Sequence, residues 1–289
     1  MRQSPSANKP KQPMTIIAGL IAEDSIILAS DSQTTYGVPK DLQAKKVHIV
    51  SFKNADVLVG ISGSAELANC VIERFQGKAE NVEITDQFTV QELIQSCVRY
   101  VMDDIRAAQG RAYFEPRALN DYIQEKWKFE IVVGHYVWKK PIFHIINSDL
   151  CAANKQTSDW AASGVGADVG GFLLREYSNP KMAYFGAVTT AIYIVDKVTK
   201  YVAGCGGLTQ VGALKMSADC QPRAHLVRPE DIAEIVSQLP EVDKETRDKY
   251  VSQVQTLLEN FVEKRKMKIM EELQALEASE DEEENPDRQ

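Results

Sequence analysis

Residues 14–35 read MTIIAGLIAEDSIILASDSQTT. Two short apolar runs, 15–22 and 25–30, flank the polar pair Glu23-Asp24. Their β-branched residues and the polar break between them predict a β-hairpin. Neither run alternates apolar with polar, so both faces of the hairpin are expected to be covered. A turn centred on Glu23 sets Thr15, at the start of the first strand, beside Asp31, at the end of the second.

Outward from this hairpin the pattern predicts strands over 47–51 and 56–62. Lys46 begins the first of them and returns to the corner that holds Thr15 and Asp31. A threonine, a carboxylate and a lysine at one strand end admit a plain reading, a capped hairpin with a surface salt bridge. They also admit a chemical one. Were Thr15 the N-terminal residue, its own α-amine would serve as general base for its hydroxyl. An α-amine has a pKa of roughly 7.7–8.0. A neighbouring Lys46 ammonium would lower that value by like-charge repulsion, and Asp31 would hold the lysine and offset its burial.

Three segments together, MTIIAGLIAEDSIILASDSQTT, then AKKV at 44–47, then VGISGSAE at 59–66, resemble the start of a proteasome β-type subunit. The same pattern occurs in HslV-type peptidases. The resemblance covers roughly 14–215 and is strongest over 14–66. It implies an N-terminal-nucleophile (Ntn) hydrolase with a four-layer αββα sandwich. It puts the nucleophile on Thr15, the conserved aspartate on Asp31 and the lysine on Lys46. It puts the oxyanion-binding glycine on Gly63, and the assisting serine on Ser163 within Ala162-Ser163-Gly164. The implied activity is a threonine-type endopeptidase that cleaves unfolded polypeptides inside a homo-oligomeric, self-compartmentalising ring. An ATP-dependent unfoldase is the implied partner, and no cofactor or metal is implied. Two other readings stand beside it: a catalytically inactive ring subunit, and an amidase of the same class acting on small amides.

The match is divergent. The family's late D-x-x-S-G-G segment is here Val202-Ala203-Gly204-Cys205-Gly206-Gly207, with valine for the aspartate and cysteine for the serine. Ser64 stands where a second glycine is usual. Thr15 can act only if residues 1–14 are absent. A propeptide could be cleaved off, although the residue before Thr15 is Met14 where active propeptides usually carry glycine. The expected route is translation from Met14 followed by methionine removal.

Farther along, helical periodicity is expected over 65–76 and 90–108. A second hairpin is expected over 129–138 and 141–146, turning at Lys139-Lys140. Then come a short strand at 161–163, helices over 164–178 and 183–201, and a strand over 208–214. Blocks of strands and helices in this order predict an α+β architecture. The domain reading is a polar extension over 1–14, the hydrolase domain over 15–220, a helical extension over 221–278 and an acidic tail over 279–289. Within the extension Pro229 suits a helix start, and 243–276 carries a broken amphipathic stripe suited to subunit packing.

Composition narrows the remaining classes. The chain has 289 residues, 44% apolar and 26% charged, and a net charge of −8. Residues 271–289 hold nine acids and one base, which accounts for all of that charge. The neutral remainder gives no basic excess for nucleic acid, and no apolar run is long enough for a membrane helix. Five scattered cysteines without a C-x-x-C pair and without a signal peptide suggest reduced thiols and a cytoplasmic location. The four histidines, His48, His135, His144 and His225, lack metal-site spacing. Cys205 reads as a buried thiol and His48 as a neighbour of the site. Ala44, Ser62 and Ala65 read as small residues near the expected pocket. Trp127, Trp138 and Trp160 read as core or interface.

Overall fold

A computed structural model describes residues 15–35, 40–41, 44–110, 128–149, 152–156, 158–217 and 221–240. Two compact units divide the chain, Met1–Val236 and Ser237–Gln289. The fold described here is that of the first. The amphipathic stripe expected over 243–276 and the acidic tail lie outside the described residues.

Strands β1 (Ile17–Ile21) and β2 (Ser25–Ser30) form the expected hairpin, and every residue in both is buried. The short pair β3 (Thr34–Thr35) and β4 (Lys40–Asp41) follows. Next come β5 (Val47–Ser51), β6 (Asp56–Gly63) and helices α1 (Ala65–Ala79) and α2 (Gln87–Gly110). The second half holds β7 (Phe129–Val137), β8 (Lys140–Asn147), β9 (Ala152–Gln156) and β10 (Trp160–Ser163). Helices α3 (Ala167–Tyr177) and α4 (Tyr184–Tyr201) and strands β11 (Gln210–Met216) and β12 (Pro222–Leu226) complete it.

Two five-stranded antiparallel sheets result, in the orders β10-β1-β2-β11-β12 and β5-β6-β7-β8-β9. Their inner faces meet through Ile17, Ile21, Ile26 and Leu28 on one side and Val47, Leu58, Val132 and Phe143 on the other. The outer face of the second sheet (Val57, Val59, Ile61, Ile131, Val133) buries the apolar stripes of α1 and α2, including Val71, Phe75, Ile94 and Val98. Helices α3 and α4 cover the outer face of the first sheet. The architecture is the four-layer αββα sandwich. It explains why the first hairpin reads apolar without alternation: one face meets the other sheet and the opposite face meets helices.

Three local expectations change. The first turn is two residues long, closed by Ala22 N–H donating to the Ser25 carbonyl at 2.8 Å. Register is therefore Ile17↔Ser30, which sets Asp31 opposite Ile16, one residue along from Thr15. The second hairpin turns at Trp138-Lys139, both with positive φ (47° and 69°) and neither a glycine. Trp138 stands 85% exposed there and is not core. Strand β12 falls inside the segment expected to be helical from 221; helix begins only at 229. Asp56 on β6 fixes β12 by accepting the Ala224 N–H at 2.9 Å.

Phe143 fills the space between the sheets, where two glycines make room for it. A Cβ at Gly19 would lie 2.9 Å from its ring, and one at Gly134 would lie 3.0 Å from it. Phe143→Ala is expected to destabilise the domain by about 3–5 kcal/mol, read as a lowered urea midpoint, through lost burial and an unfilled cavity.

Candidate active site

Asp31, fully buried at the end of β2, organises the corner. Its Oδ1 accepts the Ile16 N–H at 3.1 Å and Lys46 Nζ at 3.1 Å, and its Oδ2 accepts the Gly206 N–H at 2.9 Å. Two backbone donors and an ammonium satisfy a carboxylate that burial would otherwise make costly.

Lys46 is only 2% exposed. Its Nζ donates to Thr15 Oγ1 at 2.6 Å, to Asp31 and to the Gln33 carbonyl at 2.5 Å, which uses all three ammonium protons. Burial pushes the lysine below its ordinary pKa, and the Asp31 charge and hydrogen bond oppose that shift. The backbone that carries Lys46 is clamped by Gln210 at the head of β11. Gln210 Oε1 accepts the Lys46 and Val47 N–H groups at 2.9 and 3.3 Å, and Nε2 donates to the Ala44 carbonyl at 2.6 Å. Gln33 ties the same corner to the Gly204-Cys205-Gly206 loop. Its N–H donates to the Gly206 carbonyl and its Nε2 to the Gly204 carbonyl, each at 2.9 Å.

Thr15 precedes β1 and is 2% exposed. Its carbonyl accepts the Gly166 N–H at 3.1 Å. Gly164 has φ +91°, and a Cβ there would overlap the Thr15 carbonyl oxygen, so only glycine lets β10 run this close. Ser163 ends β10 opposite Ile17. Its Oγ lies 2.8 Å from Ser62 Oγ and donates to Glu130 Oε2 at 2.7 Å. Gly63 ends β6 one residue beyond Ser62, with φ +89°; a Cβ there would overlap the Lys128 carbonyl oxygen. That packing demands glycine whatever its N–H does.

The structure thus joins Thr15, Asp31 and Lys46 directly and brings Ser163 alongside through Gly164. Gln33, Gln210 and Glu130 are not among the residues that the sequence reading marks, and Gly206 is marked only as part of the divergent Val202–Gly207 segment. Lone glutamines at strand ends carry no spacing signal. Glu130 did carry one, as the single charge in the otherwise apolar run FEIVV.

Cys205 is buried, and burial together with the Asp31 charge pushes its thiol up to about 12, so it is protonated and unreactive. The divergent Val202–Gly207 segment reaches Asp31 through the Gly206 backbone and not through a side chain. Among the described residues no group of histidine, cysteine, aspartate and glutamate is arranged to hold a metal ion. Among the same residues no helix is long and apolar enough to cross a membrane.

A family model described as Proteasome subunit matches residues 13–211. The chain belongs to the proteasome subunit family. Solved structures of the ancestral beta-subunit called Anbu share its fold. Anbu from Yersinia bercovieri is 14% identical, with TM-score 0.58, covering 80% of this chain and 95% of that one. An Anbu (Gly-1) mutant from Hyphomicrobium sp. strain MC1 is 12% identical, with TM-score 0.59, covering 81% and 96%. The helical assembly of the Anbu complex from Pseudomonas aeruginosa gives 15% identity and TM-score 0.63, covering 81% and 94%. No curated protein matches in sequence. This proteasome family member therefore keeps the fold while its sequence has moved far from those of the solved structures.

Half-buried His48 stands two residues beyond Lys46, with its Nε2 3.2 Å from the Lys45 carbonyl. Burial, with the Lys45 charge second, lowers its pKa from 6.5 to about 4. The folded state therefore binds fewer protons than the unfolded state between those values. The stability contributed is full above 6.5 and is lost as pH falls through about 4. Wild type should lose stability to urea more steeply than His48→Gln over this window. The difference is bounded by about 3 kcal/mol and reduced by the solvent that still reaches the ring.

Proposed function

We propose that this protein is a threonine-type peptidase of a proteasome-like, homo-oligomeric assembly, with Thr15 as nucleophile. The observation that carries the proposal is the 2.6 Å contact between Lys46 Nζ and Thr15 Oγ1, with Asp31 behind the lysine. A lysine sealed from water and aimed at a threonine hydroxyl costs stability that a surface salt bridge would not.

The reaction needs Thr15 as first residue, because the nitrogen of a peptide bond has no basic lone pair. The free α-amine takes the proton from Oγ1 as Oγ1 bonds to the substrate carbonyl carbon. The carbonyl oxygen becomes an oxyanion, which the resemblance assigns to the Gly63 N–H. Collapse breaks the C–N bond, the ammonium returns its proton to the leaving amine, and an ester on Thr15 remains. Water then attacks the ester. The amine takes the water's proton, the C–O bond breaks, and the proton returns to Oγ1. Lys46 favours the alkoxide and depresses the amine pKa, and Asp31 keeps Lys46 protonated.

Polypeptides are the proposed substrates and an ATP-driven unfoldase the proposed partner in the cytoplasm. Like copies would form a closed ring or a helical array of the kind named for the Pseudomonas aeruginosa structure. The extension after β12 would serve subunit packing. Valine and an inert thiol at Val202 and Cys205 favour one second reading, a subunit that shares the assembly without catalysis.

Intact mass of wild type and Thr15→Ala, expressed from the full reading frame, is the test, joined to hydrolysis of an unfolded protein. Loss of residues 1–14 in wild type alone is self-processing by Thr15. Loss in both is initiation at Met14, and Thr15→Ala should then lower hydrolysis by about a thousandfold or more. An intact N-terminus in both, without hydrolysis, contradicts the proposal and leaves the inactive subunit. Hydrolysis of small amides but not polypeptides by an unassembled chain would replace it with the amidase reading.

A further inference from the structure

We infer that Glu130 is a positioning residue for the Thr15 amine, acting through Ser163; the inference rests on the peptidase reading above. Glu130 is the second residue of β7 and pairs with Ser62 of β6. It shares strand parity with Val132 and Tyr136, which point into the space between the sheets. Glu130 is half-buried, so its carboxylate is partly withdrawn from water on that face. It accepts the Ser163 hydroxyl at 2.7 Å.

That one bond fixes the direction of a chain of hydroxyls. A carboxylate is an acceptor only, so Ser163 spends its single proton on Glu130. In the 2.8 Å contact between the two serines, Ser62 must then be the donor. Ser163 Oγ keeps one lone pair, and no proton, for any other neighbour. Ser163 sits beside the start of β1, held there by the approach of Gly164 to the Thr15 carbonyl. An α-amine at Thr15 can therefore meet Ser163 only as a donor. Giving an N–H to Ser163 leaves the nitrogen lone pair free for the proton of Oγ1.

Glu130 also contributes negative charge opposite to that of Lys46. Lys46 lowers the pKa of the amine, and Glu130 raises it. Val202, which stands where the family carries an aspartate, contributes no charge. Glu130 reaches Ser163 from β7, on the other sheet.

The test uses chain whose mass shows Thr15 as first residue, and a peptidyl β-lactone as probe. Oγ1 attacks the lactone carbonyl, the ring C–O bond breaks, and the released alkoxide takes the proton held by the amine. The rate of acylation is followed from pH 5 to 9. Glu130→Gln should slow the plateau rate about tenfold or more, and should move the acid limb to lower pH by about half a unit or more, because the ammonium loses its counter-charge. Glu130→Asp, which retains the charge, should move the limb back towards wild type. Ser163→Ala should slow the plateau similarly, and the double variant should be no slower than the slower single one. If Glu130→Gln fails to fold, as judged by circular dichroism, Glu130→Asp and Ser163→Ala decide the matter by the same limb and plateau. A profile unchanged in position with rates within twofold overturns the inference. Wild type that does not react at all overturns the peptidase reading, and the inference with it.

Discussion

A lysine ammonium sealed inside the sandwich is the constraint on which the corner depends. Removed from water, Lys46 needs an acceptor for each of its three protons and a counter-charge within reach. Asp31 supplies the charge, and the Gln33 carbonyl and Thr15 Oγ1 complete the set. Asp31 is in turn held by backbone donors from two distant places, Ile16 and Gly206. Gln210 holds the strand that delivers the lysine. Removing one partner would strand a buried charge, so these contacts form or fail together. Thr15 Oγ1 is the one hydroxyl among the three acceptors of Lys46 Nζ.

Much of this was legible in the sequence because the deciding features are local. The hairpin, its lack of alternation, and a threonine, an aspartate and a lysine at its open end all lie within residues 15–46. The four layers were implied by the resemblance of residues 14–66, and the apolarity on both faces of β1 and β2 agrees with them. The turn was displaced by half a residue, since a two-residue turn and a one-residue pivot leave the same apolar pattern. The second hairpin hid its turn because Trp138 and Lys139 adopt positive φ without the glycine or asparagine that normally marks it. Strand β12 was missed because PRAHL carries no alternation, and its edge position leaves most of it exposed. Gln33, Gln210 and Gly206 were illegible for another reason. The two glutamine side chains act across 163 or more residues, and Gly206 acts through a backbone N–H that any residue could offer.

Divergence in this family member falls on side chains that the backbone can replace. The Val202–Gly207 loop carries no charged side chain, yet Gly206 donates to Asp31 and Gly204 accepts from Gln33. Cys205 packs beside the ion pair as a protonated thiol and takes no part in it. Glu130 on β7, in the opposite sheet, accepts the Ser163 hydroxyl. The chain keeps the fold of the solved Anbu structures at 12–15% identity.

The central claim is that Thr15, as first residue, offers an activated hydroxyl on Cβ and a free amine on the adjacent Cα. An α′,β′-epoxyketone reports on both at once. The hydroxyl adds to the ketone, the amine opens the epoxide, and a six-membered ring closes only on an N-terminal residue that carries both groups. Purified protein should be treated with such a peptide and the adduct mapped by tandem mass spectrometry. The account predicts one stable adduct per chain, on Thr15 as first residue, and none in Lys46→Met. An unmodified chain, or an adduct confined to a cysteine, would contradict it.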